Sequence, residues 1–350
     1  MSVRDRGGVR SLDRAGVEGD DPSSVGASTK ANRRWPGRGG RERLAPGAVP
    51  APAGARRQRL SRRIIVPGLF IAPVVVYAVV FFAYPLVFGF MMSFEKFGFS
   101  QLVHGSGPFF GIGNYRAALS DPVTITAIRN TVIFTVASVS LQVGIGLAVA
   151  VLLNRPFLLS NLLRRLVLIP WLIPLLATGT VFTLLFGDQD GFINMLLQHL
   201  GLISSPIAWL IDARPAIIAI IIVNIWAGLP FNVIVLYSGL QDIDGIFYEA
   251  AVIDGAGPWQ RFRKITLPML RPVMLIVVML GIIATVKVFD LVIVMTNGGP
   301  NNTTQLLSTW AYTQAFTNFN FGEGAAIGNI LLVVSAIIAV FYLRSLRKEA

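Results

Sequence analysis

Two groups of polar residues stand out against long apolar runs, and each could do a definite piece of chemistry. The first runs from Tyr248 to Pro272. It sets Glu249 beside Ala250 and Ala251, continues through Asp254-Gly255-Ala256-Gly257-Pro258, crosses Arg261, Arg263 and Lys264, and reaches Leu267-Pro268 and then Pro272. Apolar residues from Ile246 to Ile253 fall at helical spacing around Glu249. Glycine supplies backbone angles that other residues resist, and proline blocks continuation of a helix. The expected product is a helix–turn–helix elbow offering one carboxylate and a small apolar face to a soluble partner. The second group is Lys287 and Asp290, three residues apart and so on one face of a helix. A charge inside a membrane span marks function by default. These two either line a polar translocation path or form an intrahelical pair that snorkels toward the outer headgroups.

Other chemistry is scarce. Without cysteine there is no disulfide, thiolate nucleophile or cysteine-bound metal. His104 and His199 are the only histidines, so no metal site is expected. No G-x-x-x-x-G-K-[ST] loop is present, so this chain does not hold ATP in the P-loop manner. No G-x-S-x-G elbow offers a serine. The expectation is a non-catalytic chain with no cofactor of its own.

What must position the two polar groups is a membrane bundle. Apolar residues make up 54% of the 350, above the usual share for a soluble domain. A bilayer core needs about 20 apolar residues per helix. Six runs qualify, at approximately 64–93, 131–153, 166–186, 216–238, 272–295 and 325–343. The spacing predicts an all-α membrane protein of six transmembrane helices. Lys287 would stand about 22 Å of helical rise beyond Pro272, in the outer third of the bilayer.

Charge sets the orientation, because Lys and Arg concentrate in cytoplasmic segments. With the N-terminus inside, the inner segments beyond residue 63 hold ten: Arg155, Arg164, Arg165, Arg261, Arg263, Lys264, Arg271, Arg344, Arg347 and Lys348. The outer segments hold four: Lys96, Arg116, Arg129 and Arg214. Both termini inside agrees with an even number of spans, and it puts the loop 239–271 in the cytoplasm. Residues 1–63 hold fifteen Lys/Arg and six Asp/Glu, most of the chain's net +12. With Trp35 alone among arginines, glycines and prolines, they read as a disordered cytoplasmic tail, not as a folded nucleic-acid surface. The apolar run opening at Ile64 is too long for a signal-peptide core and reads as a span.

Two weaker patterns follow. Ser140, Gly144 and Ala148 recur every four residues, a spacing that lets helices approach closely, although small residues are common in membrane helices anyway. Residues 191–202 carry apolar side chains at helical spacing, with Asp190 as an N-cap candidate, and predict a short helix on the outer face.

The elbow also resembles a known family. Glu249, Ala250, Ala251, Asp254, Gly255 and Ala256, followed by Phe262, Ile265, Leu267, Pro268 and Pro272, match the signature loop of binding-protein-dependent ABC importer permeases in spacing, side of the membrane and place before the penultimate span. Gly113-Asn114-Tyr115, Asn130-Thr131, Gly191 to Asn194, Trp209-Leu210 and Asp290 with Thr296-Asn297-Gly298-Gly299-Pro300 are similar to the sugar-importing branch, and to the first of its two permeases (the maltose- and glycerol-phosphate-type partner). Asn297 stands where that branch more often has glycine. The resemblance covers about residues 64–343. It implies the type I importer permease fold in the cytoplasmic membrane, a second permease subunit, two ATPase subunits that bind ATP and magnesium, and a solute-binding protein outside. It further implies that the ATPase receives Glu249, Ala250, Ala251, Asp254 and Gly255, with Leu267 and Pro268 ending the elbow. Other readings are an importer of a non-sugar solute, an ion-coupled secondary transporter, for which only Asp290 is available as a coupling carboxylate, and a membrane scaffold or enzyme.

Overall fold

The computed structural model describes residues 70–349, all within the unit 68–350. The expected tail 1–63 and the opening residues 64–69 of the first span lie outside the described residues. In chain order the elements are α1 (Phe70–Met92), α2 (Phe99–His104), α3 (Gly113–Ser120), α4 (Pro122–Leu153), α5 (Ser160–Leu172), α6 (Leu175–Leu185), α7 (Phe192–His199), α8 (Ala213–Gln241), α9 (Gly245–Ile253), α10 (Pro258–Val286), α11 (Asp290–Met295), α12 (Leu307–Tyr312) and α13 (Phe321–Glu349). By length and composition α1, α4, α8, α10 and α13 can each cross a membrane. Helices α5 and α6 make a sixth crossing if taken together, bent by 99°. The bend is a proline effect: Ile173, pressed by the ring of Pro174, is extended (ψ 125°), and Pro174 then opens α6.

Helix starts follow local chemistry more than hydropathy. The second span begins at Pro122, well before 131, because the Asp121 carboxylate accepts the N–H groups of Val123 and Thr124 and Pro122 sits at the first helical position. The polar first turns hide this start in a hydropathy reading. On the outer face, α7 is capped by Gly191 with no side-chain bond, and not by Asp190. A Cβ at Gly191 would stand 2.2 Å from the Gly187 oxygen, so this turn is closed by backbone contact.

Helices α4 and α8 share the most extensive contact in the bundle, and α10 packs against both. On α4 the packed face is Ser138, Gln142, Gly146 and Ala150. Gly146 is the close-approach residue, since a Cβ there would lie 2.8 Å from the Asn232 Cβ. The expected stripe of Ser140, Gly144 and Ala148 faces outward, and a Cβ at Gly144 would meet nothing within 4 Å. Small residues recur on two faces of α4, and only the position of α8 selects one of them.

The expected fifth span, 272–295, is two elements. Helix α10 starts in the basic stretch, passes a π turn at Phe262–Thr266 and stops at Val286. Helix α11 begins at Asp290. Between them the Val288 N–H bonds back to Thr285, Phe289 leaves helical geometry (φ −131°), and Ser308 Oγ donates to the Val288 carbonyl. A helix can end inside a bundle where its released carbonyl finds another partner. Lys287 and Asp290 therefore do not share a helix face.

Candidate functional site

A cavity of about 550 Å³ opens between α4, α5, α8 and α10. Its wall includes Gln142, Trp171, Asn224, Phe231, Asn232 and Lys287. Three of these are amides deep in apolar helices: Gln142, Asn224 and Asn232 are 4%, 6% and 2% exposed. Gln142 Nε2 donates to the Asn224 carbonyl at 2.8 Å, and Asn232 Nδ2 to the Gly228 carbonyl at 2.8 Å. Asn224 Nδ2 and Asn232 Oδ1 have no partner among the described residues. Leaving a buried polar group unpaired costs about 1–3 kcal/mol. Gly228 makes the arrangement possible, because a Cβ there would meet Gln142 Nε2 at 2.5 Å.

Buried asparagines elsewhere in the chain find partners and act as staples. Asn114 Nδ2 donates to the Ser93 and Glu95 carbonyls, both at 2.8 Å. Asn130 Nδ2 ties α4 to the Thr303 and Gln305 carbonyls at 2.7 and 3.1 Å. Asn194 Oδ1 accepts from Ile207 N and Trp209 Nε1 at 3.1 and 2.9 Å. The sequence positions similar to the importer branch are thus largely loop staples. Asn297, the departure from its pattern, has φ 51°, a left-handed angle that asparagine adopts more readily than most non-glycine residues. Unmet amide capacity is concentrated in the cavity wall, beside two aromatic rings 6.5 Å apart. Amides and ring faces together suit a polyhydroxylated solute, whose hydroxyls both donate and accept and whose C–H faces lie against rings.

Of the two charged residues expected in the path, Lys287 lines this cavity and Asp290 does not. Both are exposed within the chain. Gln142, Asn224, Asn232, Trp171 and Phe231 escaped sequence reasoning, which looked for ionisable groups in the spans. The signal was present: Asn224, Gly228 and Asn232 recur every four residues in an apolar run, on one helix face.

The elbow forms a second site. Asp244 caps α9, its carboxylate accepting the Ile246 N–H at 3.0 Å. The far end closes with two reversed bonds, Gly255 N to Val252 O at 3.0 Å and Ala256 N to Ala251 O at 2.8 Å. This Schellman turn needs the left-handed φ of +73° at Gly255. Helix α9 buries no residue. Glu249, Ala250 and Asp254 are exposed and Ala251 is half-buried, while Ile246, Phe247, Val252 and Ile253 stand in the open, Ile253 at 87%. Leu267 is half-buried and Pro268 exposed where α10 leaves its π turn. A hydrogen bond fastens the elbow to its base: Tyr248 Oη lies 3.0 Å from the buried Thr266 Oγ1. From Thr266 the same helix continues to Thr285 in the cavity wall. The two sites are therefore joined by one rigid element.

Residues 142–348, which include both sites, match the family described as binding-protein-dependent transport system inner membrane component. The trehalose/maltose transport system permease protein MalF of Thermococcus litoralis is 34% identical over 79% of this chain and 92% of its own length. The lactose transport system permease protein LacF of Rhizobium radiobacter is 35% identical over 85% of this chain and 99% of its own. Among solved structures, a bacterial ABC transporter that imports the acidic polysaccharide alginate superposes with a TM-score of 0.72 at 21% identity, covering 84% of this chain and 99% of that one. At that identity the likeness speaks for the fold. This chain belongs to the family of inner membrane components of binding-protein-dependent transport systems.

Proposed function

We propose that the chain is a permease subunit of an ATP-driven importer that carries a sugar or sugar derivative across the cytoplasmic membrane. The observation that carries this reading is the connection of the amide-lined cavity to the exposed apolar elbow through α10. The relatives named for trehalose/maltose and lactose transport support the choice of solute. The proposed complex has a second permease subunit to complete the pore, two ATPase subunits at the cytoplasmic face, one of them on α9, and a solute-binding protein at the outer face. A structural neighbour, a bacterial alginate ABC transporter in complex with an alginate pentasaccharide-bound periplasmic protein, supports the last of these.

The mechanism uses rigid parts. The ATPase covers the apolar face of α9, with Glu249 meeting a basic group, and burial of Ile246 and Ile253 supplies the adhesion. Closure of the ATPases on nucleotide moves α9. Tyr248 and Thr266 pass the displacement to α10, whose far end carries the cavity wall. The cavity then opens alternately to the two faces, and unmet amides receive the solute in passage. Proteoliposomes holding the full complex, given binding protein, oligosaccharide and internal ATP, accumulate the sugar. Uptake driven by an ion gradient with the ATPases absent overturns the reading.

A further inference from the structure

A second cleft, of about 410 Å³, lies beneath the elbow, where the end of α4, the last turn of α8 and the first turns of α10 converge. Arg155, Arg261, Asn154 and Tyr248 line it, and among the described residues no carboxylate does. Arg261 Nε is buried without a partner. The Arg164 guanidinium nearby is already engaged: it donates to the Leu153 carbonyl at 2.7 Å and lies 4.8 Å from the centre of the Tyr237 ring. Arg155 and Arg261 have no such engagement among the described residues, so the cleft offers two guanidinium groups suited to an anion.

The depth of the cleft says which anion. Helix α10 has 29 residues, about 43 Å of rise, whereas the hydrocarbon core is about 30 Å thick. Its stretch Leu267–Val286 is apolar except for the exposed Arg271 near the inner end, whose long side chain can snorkel back to the headgroups, and it matches that thickness, so the basic turns from Pro258 to Thr266 stand at headgroup level. Trp259 is exposed on the same turns, and Leu158, at 99% exposure, projects from the neighbouring connection between α4 and α5. An exposed tryptophan and a bare leucine beside arginines compose an interfacial surface.

We propose that this cleft seats the phosphate of an anionic phospholipid from the cytoplasmic leaflet, gripped by Arg155 at the end of α4 and Arg261 on α10. The bound headgroup bridges two helices under Tyr248 and stiffens the junction through which the elbow acts. The assignment of leaflet rests on the orientation proposed above, whereas lipid retention itself does not depend on the solute or on transport.

The test is native mass spectrometry of the full complex released from nanodiscs containing phosphatidylglycerol and phosphatidylcholine. The wild type retains phosphatidylglycerol in preference. The pair Arg155→Gln with Arg261→Gln lowers that retention by about tenfold, whereas Arg155→Lys with Arg261→Lys keeps most of it and shows that the junction still folds. The pair Arg263→Gln with Lys264→Gln removes the same charge from exposed positions outside the cleft and leaves retention near wild type. Equal loss in both glutamine pairs reduces the effect to general surface attraction and overturns the site. Retention unchanged in Arg155→Gln with Arg261→Gln overturns it as well. Inorganic phosphate that displaces the lipid at millimolar concentration makes a free anion the ligand. Retention only in permease freed of its ATPases makes a protein group the native occupant. Either result overturns the lipid assignment.

Discussion

The cavity and the elbow violate the expected distribution of polar and apolar groups in opposite senses. The cavity keeps amides with unmet hydrogen bonds among apolar helices, where apolar side chains would be more stable. The elbow keeps isoleucine, phenylalanine and valine in the open on a helix that buries nothing, where polar groups would be more soluble. Each feature destabilises the isolated chain, and the function proposed above supplies each with a second molecule: a hydroxylated solute for the first, an apolar protein surface for the second. Stability and activity should therefore separate on mutation, and in different ways at the two places.

The largest effect is expected at Gly255→Pro. Proline cannot adopt the φ of +73° and removes the N–H that bonds Val252. ATP-dependent uptake in vesicles falls by about 100-fold or more, in keeping with about 3 kcal/mol of local disruption, while membrane insertion is retained. Glu249→Ala likewise abolishes uptake, and persistence of uptake in either variant breaks the coupling role of α9.

Asn224→Leu comes next and carries the sharper half of the contrast. It removes an unpaired buried amide, so the melting temperature of the complex holds or rises, while uptake drops by about ten- to 100-fold for want of about 1–3 kcal/mol of hydrogen bonding. A leucine variant that loses both stability and uptake would make Asn224 a structural residue and not a solute contact. Gly228→Ala acts on the same wall by overpacking. Displacing Gln142 costs about 1–3 kcal/mol, and uptake falls several-fold together with thermal stability.

Tyr248→Phe cuts the fastening between elbow and α10 for about 1 kcal/mol. The ratio of solute carried to ATP hydrolysed should fall about fivefold, with ATPase docking unchanged in a pull-down. The smallest effect distinguishes two neighbours. Lys287→Gln should raise the solute concentration needed for half-maximal uptake by a few-fold, as expected for a solvent-screened charged contact at an exposed position worth about 0.5–1 kcal/mol, and Asp290→Asn should change it less than twofold. A larger effect at Asp290 would place it in the path after all.

Much of this was legible in the residues. Six apolar runs and the order of glycine and proline after Glu249 are one-dimensional signals with direct physical causes, and they are enough to read the helical spans and the elbow. The turn at Gly255 formed as its glycine demanded, and the start of α4 at Asp121 could have been read from the Asp-Pro pair. The break after Val286 could not, because no proline or glycine marks it. It exists because Ser308, distant in sequence, takes up the Val288 carbonyl.

By itself the sequence determined which segments enter the membrane and which turn back, since burial of apolar surface and the limits on φ are properties of nearby residues. Only the tertiary structure decided which polar residues face a common space. It turned Gln142, Asn224, Asn232 and Lys287 toward one cavity and left Asp290 and the stripe at Gly144 outside it. Those choices depend on how helices cross and where one helix stops, and both are settled by contacts between residues far apart in the chain.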